Sequence, residues 1–416
     1  MNNKERLSLI MILTMLLAGC DAKNQAPLSP PQPSSQASPQ SDAPELASPA
    51  QEPPAPKVLR EDKSHIFLER GTDVTDGGVT RLIDKMAAEG LSFYRTAGTQ
   101  NGLIARDDVV LLKINCQWAE RGGTNTDLIK AVAEAVAAHP DGFIGEIVIA
   151  DNGQGQFGTD GTGGSLDWAQ PNSSRQDQST MDVINLLRDR MRISGYLWDD
   201  IAMNGVDEFS DGDMADGFVV EDGVLDTGIQ ISYPKFTTQY GTRISFKRGV
   251  WDETSGQYQS DKLKIINMPV LKSHSIYHVT GAVKNYMGVV ANRLTDFRPH
   301  NSVGSGGMGS VMAETRMPVL NIMDMIWVGA DKGPGAKYDS AVEVKSIAAS
   351  VDPAALDYWA AKNILLPELR GANLENSDPD SNHEGSFGYW LKLSADEIEK
   401  RGLRASPAPD EILLIE

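Results

Sequence analysis

The chain of 416 residues holds only two cysteines, Cys20 and Cys116, and six histidines. Its 38 Lys and Arg are outnumbered by 57 Asp and Glu. Each scarcity excludes something. Two cysteines cannot hold an iron–sulfur cluster through several thiolates. With Cys20 consumed as argued below, Cys116 has no partner, so no intramolecular disulfide staples the fold. The N-terminal apolar run, residues 7–18, is too short to span a bilayer. Of the formal charge of −19, residues 1–19 contribute +1 and residues 20–56 contribute −3, which leaves −17 on residues 57–416. A domain this acidic is not expected to grip nucleic acid or anionic headgroups through a basic face. No period of roughly 20–50 residues repeats. A P-loop, a Ser nucleophile elbow and a His-Glu-x-x-His helix are all missing.

The ends of these segments are more positive in their message. Lys4 and Arg6 precede the short apolar run, which has the shape of a signal-peptide core and closes on Leu17-Ala18-Gly19-Cys20. That tetrapeptide resembles a bacterial lipobox. The resemblance implies removal of residues 1–19, lipidation of Cys20 and tethering to a membrane by acyl chains. Asp21 resembles the retention signal of enteric-type lipoproteins, which implies the inner membrane of a host that sorts them so. Residues 20–56 are dominated by Pro, Ser, Ala and Gln. They cannot bury enough apolar surface to offset their ordering entropy and read as a spacer, about 100 Å long if stretched as polyproline II.

Residues 57–416 alternate strand and helix signals. Asp108 to Asn115 is a continuous aliphatic run, expected for a strand covered on both faces. Thr124 and Thr126 can cap a helix with Leu128, Ile129, Val132 and Val136 on one face. Residues 146–151 form the next strand, and this β-α-β order implies parallel pairing. Further strands are expected over 263–268, 319–327 and 342–350, with helices over 181–191 and 353–364 and another starting near Thr280. The pattern predicts an α/β fold, a doubly wound and mostly parallel sheet. An irregular or β-rich insertion is expected at about 199–259.

Three motifs fall short. Gly153-Gln154-Gly155-Gln156-Phe157-Gly158 fits Gly-x-Gly-x-x-Gly after a strand, but the next residues continue a loop instead of opening the helix whose N-terminus would receive a pyrophosphate. Asp207, Glu208, Asp211, Asp213 and Asp216 have the flavour of a calcium loop with the ligand positions out of phase. His274-x-x-x-His278 has helical metal-ligand spacing without a third ligand in sequence, and suits a hydrogen-bonding pair better.

The candidate site lies at strand ends. Lys113 and Asn115 close one strand, Lys272 and His274 follow another, and Thr280, Lys284 and Asn285 sit just beyond. Ligands bind past the carboxyl ends of parallel strands. Three lysines, a histidine and two amides converging there, with free backbone N–H groups near Thr280 and Gly281, would select a small anion. The plainer alternative is that these lysines reach solvent or pair with the surplus carboxylates.

Asn267-x-Pro269-x-Leu271-Lys272-x-His274, followed by Val279-Thr280-Gly281-Ala282-Val283-Lys284-Asn285-x-x-Gly288, resembles the central motif of the domain-of-unknown-function 362 family. Lys113-Ile114-Asn115 with residues 124–130 is similar to its N-terminal strand–helix. Asn321-Ile322-x-Asp324, Lys332-Gly333-Pro334-x-x-Lys337 and residues 350–357 are similar to its C-terminal half, so the resemblance spans roughly residues 109–366. Many members carry ferredoxin-type cysteine clusters. This chain has none, so no iron–sulfur cluster is expected and their electron-transfer role does not carry over.

These readings make the chain a lipid-anchored envelope protein with an anion-accepting crevice. As an enzyme it would use Lys284 or Lys272 to neutralise a carboxylate or phosphate and His274 as general acid/base. Asp324, Asp352 or Asp357 would orient His274 or hold a divalent metal. Asp352 also suits the N-cap of the helix that Pro353 opens. Loss of turnover with an intact thermal midpoint is expected for His274→Ala. A non-catalytic binder would use the same crevice, and an envelope-assembly module would instead expose an apolar patch near Trp168, Trp251 or Tyr258.

Overall fold

The computed structural model describes residues 59–155, 163–210, 213–331, 333–370 and 374–416. The signal-like run, Cys20, the Pro-rich spacer, Asp211, Lys332 and the second half of the Gly-x-Gly-x-x-Gly stretch lie outside the described residues.

In chain order the strands begin with β1 (Ser64–Arg70), β2 (Tyr94–Arg95), β3 (Ile104–Ala105), β4 (Val109–Lys113), β5 (Glu146–Asp151) and β6 (Ile193–Leu197). Then come β7 (Gly217–Val220), β8 (Ser232–Thr237), β9 (Arg243–Ser245), β10 (Gly249–Asp252), β11 (Gln257–Gln259) and β12 (Leu263–Asn267). The last are β13 (Val270–His274), β14 (His278–Thr280), β15 (Leu320–Gly329), β16 (Val342–Ser350) and β17 (Ile412–Ile415).

The main sheet runs β17-β1-β16-β15-β12-β4-β5-β6. From β15 to β6 every neighbour is parallel, β16 is antiparallel to both β15 and β1, and β17 returns parallel to β1. The period of two explains why the central strands read as unbroken aliphatic runs. Val109 and Leu111 enter one core with Val148 and Ala150, while Val110 and Leu112 enter the other with Ile147 and Ile149. Both faces are covered, so both must be apolar. Each such side chain, fully buried, contributes about 1.5–3 kcal/mol of transfer free energy.

Helices Gly78–Ala88, Thr126–Ala137 and Thr180–Leu187 cover one face. Helices Gly307–Glu314, Pro353–Ala360 and Phe387–Glu399 cover the other. The fold is the α/β class expected from sequence, with strands in mixed but mostly parallel order. A separate antiparallel sheet, β11-β10-β9-β8-β7, lies within residues 217–259. Its Phe218, Tyr233, Phe236, Ile244 and Phe246 join the second core instead of forming one of their own.

Two helices differ from expectation. The helix at Pro353 ends at Ala360 and continues as a π turn over Ala361–Leu365. The chain then resumes a short α-helical turn, Leu366–Glu368, with Pro367 near its start, where a missing N–H costs no internal hydrogen bond. The helix expected near Thr280 is a strand end followed by a 3₁₀ turn, Lys284–Val289. Gly281, Gly288 and the surrounding valines disfavour a longer helix. In addition, the N–H groups of Ala282 and Val283 are captured by the Asp357 carboxylate.

Pro269 ends β12, and the chain then resumes as β13 farther along the long β15, where Val270 pairs with Asp324 and Lys272 with Gly329. β13 folds back into β14, setting His274 opposite His278. This hairpin stands past the carboxyl edge of β12. It is one wall of the site.

Candidate functional site

The in-register edge of the sheet puts Lys113 beside Asn267 on one side and Ala150 on the other, one residue short of Asp151. The Lys113 ammonium is fully buried, 2.7 Å from Asp151 Oδ1, and donates to the carbonyls of Ile114 and Asn285 at 2.8 Å each. Three acceptors satisfy its three protons. The expectation that Lys113 meets a ligand is therefore corrected: it holds Asp151 and the 3₁₀ turn in place. Burial pushes the Asp151 carboxyl up, while Lys113 and the Cys116 N–H, donating at 2.8 Å, draw it back. A Cβ on Gly288 would stand 1.9 Å from Asp151 Oδ1 and 2.7 Å from Lys113 Nζ. Gly288→Ala is therefore expected to destabilise the fold by about 1–3 kcal/mol, read by urea denaturation. An unchanged midpoint would mean that this pair has slack.

Beyond that edge lies a cavity of about 210 Å³, lined by Asn115, Trp118, Asp151, Lys272, His274, Thr280, Lys284, Asn285 and Pro334 among others. Sequence reasoning brought six of these together and missed Asp151, Trp118, Gln154 and His300. Asp151 was legible as the last residue of the strand beside Lys113. Trp118 carried no signal, because a loop after a strand says nothing about which way a ring turns.

The cations differ in their commitments. Lys272, 1% exposed, donates to the Gly122 carbonyl, and burial, with Lys284 nearby, holds its ammonium well below the usual range. Lys284, 8% exposed, has no hydrogen bond or ion pair to any described residue; its ammonium lies 5.7 Å over the Tyr277 ring. Burial lowers it to about 8.

His274 Nδ1 accepts the N–H groups of Ile276 and Tyr277 at 3.1 Å each. The neutral ring therefore carries its proton on Nε2. Burial first, then Lys284 and Lys272, depress the imidazolium far below its ordinary range. A ring so held presents an Nε2–H donor. With two hairpin hydrogen bonds to lose, His274→Ala is expected to lower the thermal midpoint.

Of the backbone N–H groups just past Thr280 and Gly281, Asp357 takes up those of Ala282 and Val283 at 2.5 and 2.9 Å. What the cavity does present are buried polar atoms without a hydrogen-bond partner among the described residues: Thr280 Oγ1, Asn115 Oδ1 and Trp118 Nε1. Asn285 is partly committed, its Nδ2 donating to Asn267 Oδ1 at 2.8 Å. Asp151, neutralised by Lys113, is the single carboxylate among the described lining residues.

The three aspartates expected to hold a metal lie elsewhere, each occupied. Asp324 accepts the Asn125 N–H at 2.8 Å and that of Ile326 at 3.1 Å. Asp352 caps the helix it precedes through Ala355 N–H at 2.9 Å and accepts from the Ser64 hydroxyl at 2.6 Å. Asp357 fixes the turn before Lys284. Among the described residues no group of three His, Cys, Asp or Glu is placed to hold a metal. The spacing of His274 and His278 comes from a hairpin, not a helix.

The other near-miss motifs resolve physically. Asp199 accepts the Gly153 and Gly155 N–H groups at 2.5 and 2.7 Å, so an internal carboxylate sits where a phosphate would have to. Asp213 pairs with Lys235 at 3.2 Å, and Glu208 accepts from Tyr233 and Tyr258. The aromatic patch is half-buried and engaged: Trp168 donates to the Cys116 carbonyl, and Trp251 packs edge-on against Tyr258. No helix of the described residues is long and apolar enough to cross a membrane.

No curated protein matches the chain. The family match is narrower than the motifs read across residues 109–366; it contains the hairpin, the Lys284 turn and all three aspartates, and leaves Asn115, Trp118 and Asp151 outside. Residues 258–362 match the model of the family described as "Domain of unknown function (DUF362)", the family whose central motif the residues around His274 and Lys284 resemble.

Proposed function

We propose that the chain is a lipid-anchored envelope protein whose cavity takes a small anion, a carboxylate or a phosphate monoester. The observation that carries the reading is the Lys284 ammonium: buried, lining a cavity, and without a carboxylate partner among the described residues. A buried charge left without a counterion is costly, and a ligand anion would relieve that cost. The Thr280 hydroxyl, the Trp118 indole N–H and the His274 Nε2–H supply donors for its oxygens. Asn115 Oδ1 is an acceptor and favours a ligand with one hydroxyl or protonated oxygen.

The test is a thermal shift of the full-length chain with inorganic phosphate, phosphate esters and small carboxylates. At about 100 times its dissociation constant a specific anion adds about 2.7 kcal/mol of stability. The shift is expected to vanish in Lys284→Ala. Because burial lowers Lys284 to about 8, binding should weaken as pH rises through about 8 and should take up protons there, measurable by calorimetry in buffers of different ionisation enthalpy. If no anion shifts the midpoint, the reading fails. The anchor is a separate claim resting on the lipobox-like Leu17-Ala18-Gly19-Cys20. Intact mass of the mature protein should show acyl addition at Cys20, and Cys20→Ser should release the chain from membranes.

A further inference from the structure

We infer that Lys284 is an amine nucleophile and that the cavity takes a small 2-oxo carboxylate, whose carbonyl carbon forms an imine with Lys284 Nζ. The inference rests on the anion-binding reading above and names the class of anion.

Three lysines lie at this edge of the sheet, and their commitments separate them. Lys113 gives its protons to Asp151, Ile114 and Asn285, and Lys272 gives one to Gly122. Only Lys284, of the three, reaches the cavity with an Nζ uncommitted among the described residues. It is also walled by Ile276, Met287 and the Tyr277 ring, an apolar surround that disfavours the ammonium. A desolvated lysine in an apolar surround is the setting in which an amine attacks carbonyl groups. At neutral pH on the order of one-tenth of Lys284 is free amine, far more than for a solvated lysine.

A 2-oxo acid fits because it sets a carbonyl beside a carboxylate within a few atoms, which a cavity of about 210 Å³ can enclose. The carboxylate would meet Lys272 and the Trp118 N–H. The carbonyl oxygen would meet the hydroxyl of Thr280, which no described group satisfies.

The step balances without oxidant or reductant. The ammonium sheds one proton and its nitrogen bonds the carbonyl carbon. The oxygen takes up that proton and a second from the nitrogen and leaves as water, while the third stays on the iminium nitrogen. His274, neutral with its proton on Nε2, is a donor to the departing oxygen and not a competing base.

The experiment treats the full-length chain with pyruvate and cyanoborohydride, which delivers hydride to the iminium carbon and fixes the adduct as a secondary amine. Intact mass and peptide mapping are expected to find one adduct, on Lys284, at a rate rising between roughly pH 7 and 9 as free amine accumulates. Lys284→Arg, which keeps the charge without the nucleophile, should lose the adduct. Lys284→Met, which packs like lysine without charge, provides a second folded control lacking both. A wild-type chain that shifts with phosphate but gives no adduct on Lys284 overturns the imine and leaves the anion site standing. So does labelling equal in wild type and Lys284→Arg. Neither a shift nor an adduct would remove both readings.

Discussion

Lys284→Met is expected to make the chain more stable at pH 7, by about 2–3 kcal/mol, while abolishing anion binding. The gain follows from the displacement of this ammonium from its ordinary 10.5 to about 8. One unit is about 1.4 kcal/mol, and the full difference is an upper bound because the unfolded chain is not fully solvated. The sign runs as for any lysine whose folded value is depressed. Below about pH 8 both states hold the proton, and the folded state bears the whole cost of burying it. Between about 8 and 10.5 the folded amine is neutral while the unfolded one is still charged, so the cost shrinks. Above 10.5 it is gone. Urea denaturation at pH 7 and pH 10 should therefore show a mutant advantage that narrows at the higher pH. A mutant less stable than wild type at pH 7 would mean that the ammonium has a favourable partner in the folded chain, and the unpaired-cation argument would collapse. Stability withheld at a binding residue is the usual signature of a site kept for function.

Lys113→Met should act in the opposite direction and more strongly, costing about 3–5 kcal/mol. It would leave the buried Asp151 with the Cys116 N–H and no cation. Burial already pushes that carboxyl up, and without Lys113 it would rise further. The folded mutant would hold its proton where the unfolded chain has released it, so its stability should fall as pH rises from the ordinary carboxylate range toward neutrality. Denaturation at pH 5 and pH 8 reads that slope. The double replacement Lys113→Met with Asp151→Leu removes both charges and should recover most of the loss, since an apolar pair of similar volume often matches a buried ion pair. A double variant as unstable as the single one would show that the edge needs the hydrogen bonds to Ile114 and Asn285 more than the ion pair.

The sheet was legible because its central strands are buried on both faces: Val110, Leu111 and Leu112 leave no polar gap, and Glu146–Asp151 and Val342–Ser350 were bounded to the residue. The site was legible as a neighbourhood, since strand ends must gather where parallel strands finish. Which lysine stands uncommitted in the cavity was not. Lys113, Lys272 and Lys284 differ only in their acceptors, and those come from residues far off in sequence: Asp151, Gly122 and, for Lys284, none among the described residues. The 280s misled because a helical apolar spacing there competes with two glycines and with a carboxylate, Asp357, that no local pattern reveals. The aspartates misled for the related reason that a buried carboxylate satisfied by backbone N–H groups looks, in sequence, like one waiting for a metal.

The Lys113–Asn285 hydrogen bond closes a loop of 172 residues, and the cavity walls come from either side of that closure. Closures of this length come late in folding, since their entropy is lost before their contacts are gained. The cavity therefore exists only in chains whose parallel strands β4 and β12 have already docked. Partly folded molecules present no half-formed version of it that could trap ligand. A ligand held there would slow hydrogen exchange across β4, β5 and β12 together, because releasing it and undocking those strands are one event.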